Sequence, residues 1–408
     1  MKKLEHKVPN LRFKGFTDYW EQHKLGEIIT YYNGKSHEEQ FRNAETQNFE
    51  LVTLKSIDGN GNLCSSEKYI DSTNNTLSKN DLIMVLSEQN TGLVGMTTLI
   101  PRDNYYVLNQ RVALLKLHKN NSPFFLTDAI NQHQIFFERM SAGTKVQNIS
   151  KSNVENFNLY IPNYSEQKEV GHIIALCQNI ITLQQRKLDL LKQFKKGLLQ
   201  KMFADKDSKQ PVLRFKGFHD DWEQRKLGEI SDIKSGLSTN TQSKKNLYKI
   251  TRIETISDGF IDVKKVGTVR EKPDKKFLMN CGDILFSNIN SLKHIGKVAI
   301  FDGSFTLYHG MNLLRITVNT KTSSYFIYYE LSTKKYRNWA KAHANPAVSQ
   351  ASINQSELSL ENMSLTSLAE QEKIVNLLLL LDKLISLQQQ KLAKYQSIKK
   401  SLLQQMFI

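Results

Sequence analysis

Gly34, Lys35 and Ser36 have the residue types that close a phosphate-binding loop, in which a glycine-rich turn cradles phosphate and a lysine neutralises it. The first glycine of that pattern would stand where Ile29 stands, so the segment reads as a turn. Asn345-Pro346-Ala347-Val348 is the nearest approach to the Asn/Asp-Pro-Pro-aromatic motif with which amino-methyltransferases hold a target amine. It lacks the second proline and the ring, and reads as a loop. Pro273-Asp274 could begin a magnesium-dependent nuclease centre, which needs a following acidic-x-Lys strand. It lies instead in the charged run REKPDKK (270–276), which reads as a solvated loop or a phosphate contact. No GxGxxG or HExxH occurs, and the ten histidines show no pairing with Ser or Cys that suggests a triad. The missing motifs favour binding over turnover.

The elements that would position binding groups are organised by a duplication. PNLRFKGFTDYWEQHKLGEI (9–28) recurs as PVLRFKGFHDDWEQRKLGEI (211–230), with 16 of 20 positions identical. The ends of the halves repeat too, residues 165–203 matching 369–407 at an offset of 204. A period this long indicates a duplicated domain rather than a solenoid. Both end segments lack proline. Mostly apolar residues fall at alternating spacings of four and three along Val170, Ile174, Cys177, Ile181, Gln184, Leu188, Leu191, Lys195, Leu198 and Met202. The second copy carries Ile374, Leu378, Leu381, Ile385, Gln388, Leu392, Tyr395, Lys399, Leu402 and Met406. Sustained over several heptads, the pattern predicts coiled-coil helices, with polar residues at matching seam positions.

Between the repeated ends the halves diverge. Residues 52–57, 82–87 and 113–118 read as strands, with counterparts at 248–253, 284–289 and 313–318. Residues 131–140 and 325–340 read as helices. LVGMTTLI (93–100) weakly matches HIGKVAIF (294–301). The expectation is one α/β (α+β) frame, kept twice, with different residues mounted on it. Neutral drift would have spread the differences more evenly.

The formal net charge of +16 points to a polyanionic partner, nucleic acid being the commonest. Cys64, Cys177 and Cys281 are scattered and odd in number, so neither a zinc site nor a disulfide framework is expected, and a reducing cytoplasm fits. The N-terminal MKKLEHKVPN lacks the apolar stretch of a signal peptide, and the most apolar run, 374–385, is too short and too interrupted to cross a bilayer.

LRFKGF followed by WEQ and KLGEI in each half, the strand starts at Asp81 and Asp283, and SAGTKVQNISKSNVENFNLYIP (141–162) leading into SEQKEV together resemble the specificity subunit of type I restriction-modification systems. The resemblance covers essentially the whole chain. It implies two pseudo-symmetric target-recognition domains separated by two long helices that form an antiparallel coiled coil. The boundaries expected are a first recognition domain at 1–164, a spacer helix at 165–203, a linker at 204–210, a second recognition domain at 211–367 and a second spacer helix at 368–408. The implied partners are double-stranded DNA, two methyltransferase subunits and two restriction subunits. S-adenosylmethionine, ATP and magnesium belong to those partners, with no cofactor or metal in this chain. The loop GTKVQNIS (143–150) is matched only loosely by NPAVSQASI (345–353).

Reading DNA needs side chains that pair with base edges, Arg or Lys for guanine and Asn or Gln for adenine, while phosphate contacts fix position. The candidates in the first half are Ser87, Glu88, Gln89, Asn90, Asn109, Gln110, Arg111, Lys145, Gln147 and Asn148. In the second half they are Asn288, Asn290, Lys293, His294, His309, Asn312, Asn345 and Gln350. Basic helix positions (Lys192, Lys195, Lys196, Lys201, Lys391, Lys394, Lys399, Lys400) could touch phosphates, or simply be solvated. Leu183, Leu387 and Phe194, off the seam, could dock a methyltransferase. Gln184 and Gln388 sit at the helix midpoints and are expected to pair and fix the register. Two other classes remain open: a stand-alone coiled-coil DNA-binding regulator, and an autonomous methyltransferase or nuclease.

Overall fold

A computed structural model describes residues 8–88, 92–143, 146–205, 208–238, 248–257, 259–346 and 350–408. The chain divides into two compact units, residues 1–185 with 390–408, and residues 186–389.

The first unit is built on a four-stranded antiparallel sheet, in the order Ile29–Asn33, Val112–Leu117, Leu82–Val85, Thr97–Leu99. The central strand LIMV is buried at every position, as expected where both faces are covered. A three-stranded sheet joins Tyr69–Ile70, Phe49–Val52 and Tyr106–Leu108. The repeated N-terminal motif supplies Glu21–Lys24, which pairs antiparallel with Asn158–Ile161 at the foot of the first long helix. The core gathers Trp20, Leu25, Met84, Leu115, Phe125, Phe137, Val154 and Val170, with Met406 from the far end of the chain.

The second unit repeats this frame. Its sheet runs Ser231–Ser235, Leu314–Val318, Ile284–Phe286, Val298–Ile300, again all antiparallel. Glu223–Lys226 pairs with Asn362–Leu365. Asp81 and Asp283, the strand starts noted above, have one local role. Each carboxylate accepts the backbone N–H three residues earlier, from Ser78 at 2.9 Å and Asn280 at 2.8 Å, closing the turn before a central strand.

The two long helices span Tyr164–Lys201 and Leu368–Met406. Asn163 and Ser367 cap them, accepting the N–H of Glu166 and Glu370. In the first unit Val170 and Ile173 share a core with Leu402 and Met406, and Gln178 meets Lys399. In the second unit Leu198 and Met202 share a core with Ile374 and Leu378, and Lys195 meets Asp382. Within each unit, then, the helices run antiparallel, and none of the predicted seam positions is exposed.

Three sequence expectations need correction. The strand expected at 52–57 is Phe49–Val52, and Thr53 to Ser56 form a turn in which the Thr53 N–H donates to Ser56 Oγ at 2.9 Å. The helix expected at 131–140 is two helices, Pro123–Asn131 and Gln134–Met140. The one expected at 325–340 is Ser324–Leu331 and Lys334–His343, because Ser332 and Thr333 turn their hydroxyls back onto the carbonyls of Tyr328 and Glu330 and end the first helix.

Candidate nucleic-acid interface

In the first unit three of the predicted loop groups converge at one end of the main sheet. Ser87–Glu88 pairs antiparallel with Gln147–Asn148. The Leu86 N–H donates to the Arg111 carbonyl at 2.9 Å, which brings the 109–111 turn alongside. Gln110, Arg111 and Asn148 are exposed there, and Gln147 is half-buried. Arg111 has a φ of +68°, a left-handed conformation that a non-glycine residue adopts at a cost.

Other predicted readers of this unit turn inward. Glu88 is buried, and its carboxylate accepts the backbone N–H groups of Gly92, Leu93 and Val94. Its lone pairs are committed to holding a loop. Ser87 is buried and bonds to Asn148 Oδ1. Asn109 is buried with its Oδ1 on the Gln110 N–H at 2.9 Å. These three are scaffolding for the exposed residues beside them. Gln89, Asn90 and Lys145 lie outside the described residues.

The second unit brings two of its three groups together in the same way. Ile289–Asn290 pairs with Ala351–Ser352, which pairs with Asn345–Pro346. Asn345, Gln350 and Lys293 are exposed, while Asn290 and His294 are half-buried. Asn290 is partly committed, donating to Ser287 Oγ at 3.1 Å and accepting from the Ser291 N–H at 2.9 Å. Asn288 donates to the Ile353 carbonyl at 3.2 Å.

His309 is a correction. It is fully buried, its Nε2 lies 2.9 Å from the Leu313 carbonyl, and its Nδ1 has no partner among the described residues. Burial pushes its pKa down to about 4, so the ring is neutral and belongs to the core. The residue that matches Arg111 is Asn312. Each follows the bridge that its turn makes to the start of the domain, Lys35 to Asn109 and Leu237 to Gly310. Each is left-handed, Asn312 with a φ of +65°. Gly34 and Gly236 permit both bridges, since a Cβ at either would stand 1.9 Å from the facing carbonyl oxygen.

Asn312 borders a groove of about 200 Å³ lined also by Thr251, Arg252, Glu254 and Met311. Thr251 and Arg252 fall within YKITRI (248–253), for which the sequence predicts one strand. The strand ends at Ile250, and a turn of 3-10 helix at Ile253–Thr255 follows it, with Arg252 just before. Among the described residues no group of three or more His, Cys, Asp or Glu side chains could hold a metal ion. No described helix is long and apolar enough to cross a membrane.

Comparison with known proteins agrees with this frame. The putative type I restriction enzyme MjaX specificity subunit of Methanocaldococcus jannaschii is 41% identical over 194 residues, a stretch that spans 46% of each chain. The MjaVIII specificity subunit of the same organism is 22% identical over 339 residues, covering 78% of this chain and 76% of the relative. The crystal structure of a type I restriction-modification S subunit from M. genitalium superposes with a TM-score of 0.66 at 16% identity, over 98% of this chain and 99% of that one. A chain from a study of assembly and conformational transition of a type I system gives 0.55 at 17% identity, covering 94% and 96%. The family described as "Type I restriction modification DNA specificity domain" matches residues 17–193 and again 219–396. With both halves matched and both folded on one frame, the chain belongs to the type I restriction-modification DNA specificity family and carries two of its recognition domains.

Proposed function

We propose that each unit reads one half of a bipartite DNA site, and that the chain selects DNA for catalytic subunits without itself catalysing a step. The observation that carries this reading is the pair Arg111 and Asn312. One backbone position is kept in both units, while its side chain changes from a guanine-type to an adenine-type reader. Two methyltransferase and two restriction subunits are the proposed partners, bringing S-adenosylmethionine, ATP and magnesium, and the cytoplasm is the proposed location.

The helices are proposed to set the spacing of the half-sites and to dock the methyltransferases. Leu176, Leu183 and Leu190 recur every seven residues on the first helix and are exposed, as is Phe194. Leu380 and Leu387 repeat the pattern on the second, with Ile398 beyond. Such stripes, off the seam, suit a protein partner. Gln184 and Gln388 remain the proposed register pair, testable by cysteines placed at both.

The deciding experiment replaces residues 29–140 with the same region of a relative and maps methylated sites in genomic DNA of the host. One half-site should change and the other persist. If both change together, the two-reader assignment fails. Methylation or cleavage by the purified chain, free of partners, would overturn its non-catalytic role.

A further inference from the structure

The duplication puts the same lysine on both long helices, since Lys195 and Lys399 correspond at the offset of 204. In the second unit Lys195 pairs with Asp382 of the other long helix. Asp382 also accepts the Tyr329 hydroxyl at 2.7 Å, and Lys195 lies 5.2 Å from the centre of the Tyr329 ring. Tyr329 belongs to the domain helix Ser324–Leu331.

In the first unit the place of Asp382 is taken by Gln178. Lys399 donates to Gln178 Oε1 at 2.9 Å, and Gln178 donates onward to Asn62 Oδ1 at 3.1 Å. An amide satisfies a hydrogen bond without balancing the ammonium charge. The place of Tyr329 is taken by Asp128, and packing fixes that equivalence. Phe125 and Phe326, three residues earlier, hold matching positions: one between Trp20 and Phe407, the other between Trp222 and Phe203. The helix caps agree, because Ser122 and Ser323 give their N–H groups to Gln167 and Gln371, each at 2.9 Å. The carboxyl missing from the long helix thus reappears on the domain helix. Burial raises the Asp128 pKa to about 6, and the charge of Lys399 opposes that rise.

We infer that Asp128 and Asp382 are alternative acids for one duplicated lysine clamp, each positioning its recognition domain against the long helix contributed by the other half of the sequence. Lys399 serves the first domain and Lys195 the second, so the lysine is constant and each half brings its own acid at one of two places. A domain exchanged into the first half with a neutral residue at position 128 would then need Gln178→Asp as well. That corollary rests on the two-reader function, whereas the clamp does not.

A double-mutant cycle in the full chain, read by hydrogen exchange of the two domain helices, tests the clamp. Lys399→Met removes the cationic neighbour of the half-buried Asp128, so protection in Pro123–Asn131 should fall roughly two- to fivefold. Adding Asp128→Asn should restore most of it, and adding Asp382→Asn should not. Lys195→Met should lower protection in Ser324–Leu331, relieved by Asp382→Asn and not by Asp128→Asn. With the acid moved, in Asp128→Asn/Gln178→Asp, Lys399→Met should again be costly. The clamp is overturned if Lys399→Met has no effect, if Asp128→Asn fails to relieve it, or if either acid relieves either lysine.

Discussion

Arg12 and Glu166 stand 154 residues apart and meet through two hydrogen bonds, each of 2.6 Å. Arg214 and Glu370 repeat the pair at 2.8 and 2.9 Å. Both carboxylates are fully buried. The next residue in each helix works beside them. Gln167 accepts from Ser122 and donates to the Pro162 carbonyl, while Gln371 accepts from Ser323 and donates to the Thr366 carbonyl. The LRFKGF and EQ segments stayed alike because one arginine fork and one amide tie the motif, the domain helix and the long helix together.

Arg12→Met should therefore destabilise the first unit by about 3–5 kcal/mol, because it leaves a buried carboxylate unpaired. Arg12→Lys should recover only part of this, since a lysine cannot supply the planar fork. Chemical denaturation followed by hydrogen exchange in the first unit checks both. An unchanged midpoint for Arg12→Met would refute the role.

His309 and Glu330 predict opposite pH dependences in the second unit. The folded His309 pKa is about 4, below the unfolded value of about 6.5. Between those values the unfolded chain takes up a proton that the folded chain refuses, so stability falls as pH drops through that window. Burial pushes the Glu330 carboxyl up to about 7. Its contribution is complete below an unfolded value of about 4.3 and is lost as pH rises through 7. His309→Asn should flatten the acid-side loss, and Glu330→Gln the loss toward neutrality. Denaturation midpoints from pH 4 to 8 read both slopes, and parallel curves for wild type and variant would contradict the assignment. Neither variant should alter the DNA sequence chosen.

Arg111→Gly and Asn312→Gly each remove a candidate reading group while keeping a residue that tolerates the left-handed backbone. In the assembled complex each should relax one base position of one half-site, at about 1–3 kcal/mol of discrimination. Binding to a library of variant sites measures this. If both substitutions affect the same half-site, the equivalence of the two turns is mistaken.

With a net charge of +16, DNA binding by the complex should weaken steeply between ~50 and ~200 mM salt, as phosphate contacts release counterions. A flat response would mean that the basic residues serve solubility instead.

The frame was legible because identical residues do identical packing jobs in both halves. Trp20 and Trp222, Leu25 and Leu227, and Met202 and Met406 are all buried. The seam followed from periodicity alone. Individual readers were harder to see. Glu88, Asn109 and His309 sit in polar segments next to exposed residues, and their types do not reveal that backbone N–H groups or a carbonyl already occupy them. Arg252 was hidden by one strand that ended three residues early.

The first unit holds Met406 in its core, stacks Phe407 on Phe125 at 5.1 Å, and bonds the Leu11 N–H to the Gln405 carbonyl. The second unit is a single continuous stretch, residues 186–389. The stretch made first therefore cannot complete its fold before the stretch made second has been synthesised. The stretch made second can close on itself, while the stretch made first waits for residues near 402–408. At ~5–20 residues per second that wait lasts roughly ten to forty seconds. During it Trp20 and Phe125 face a core that still lacks Met406 and Phe407, so apolar surface of the first half stays uncovered.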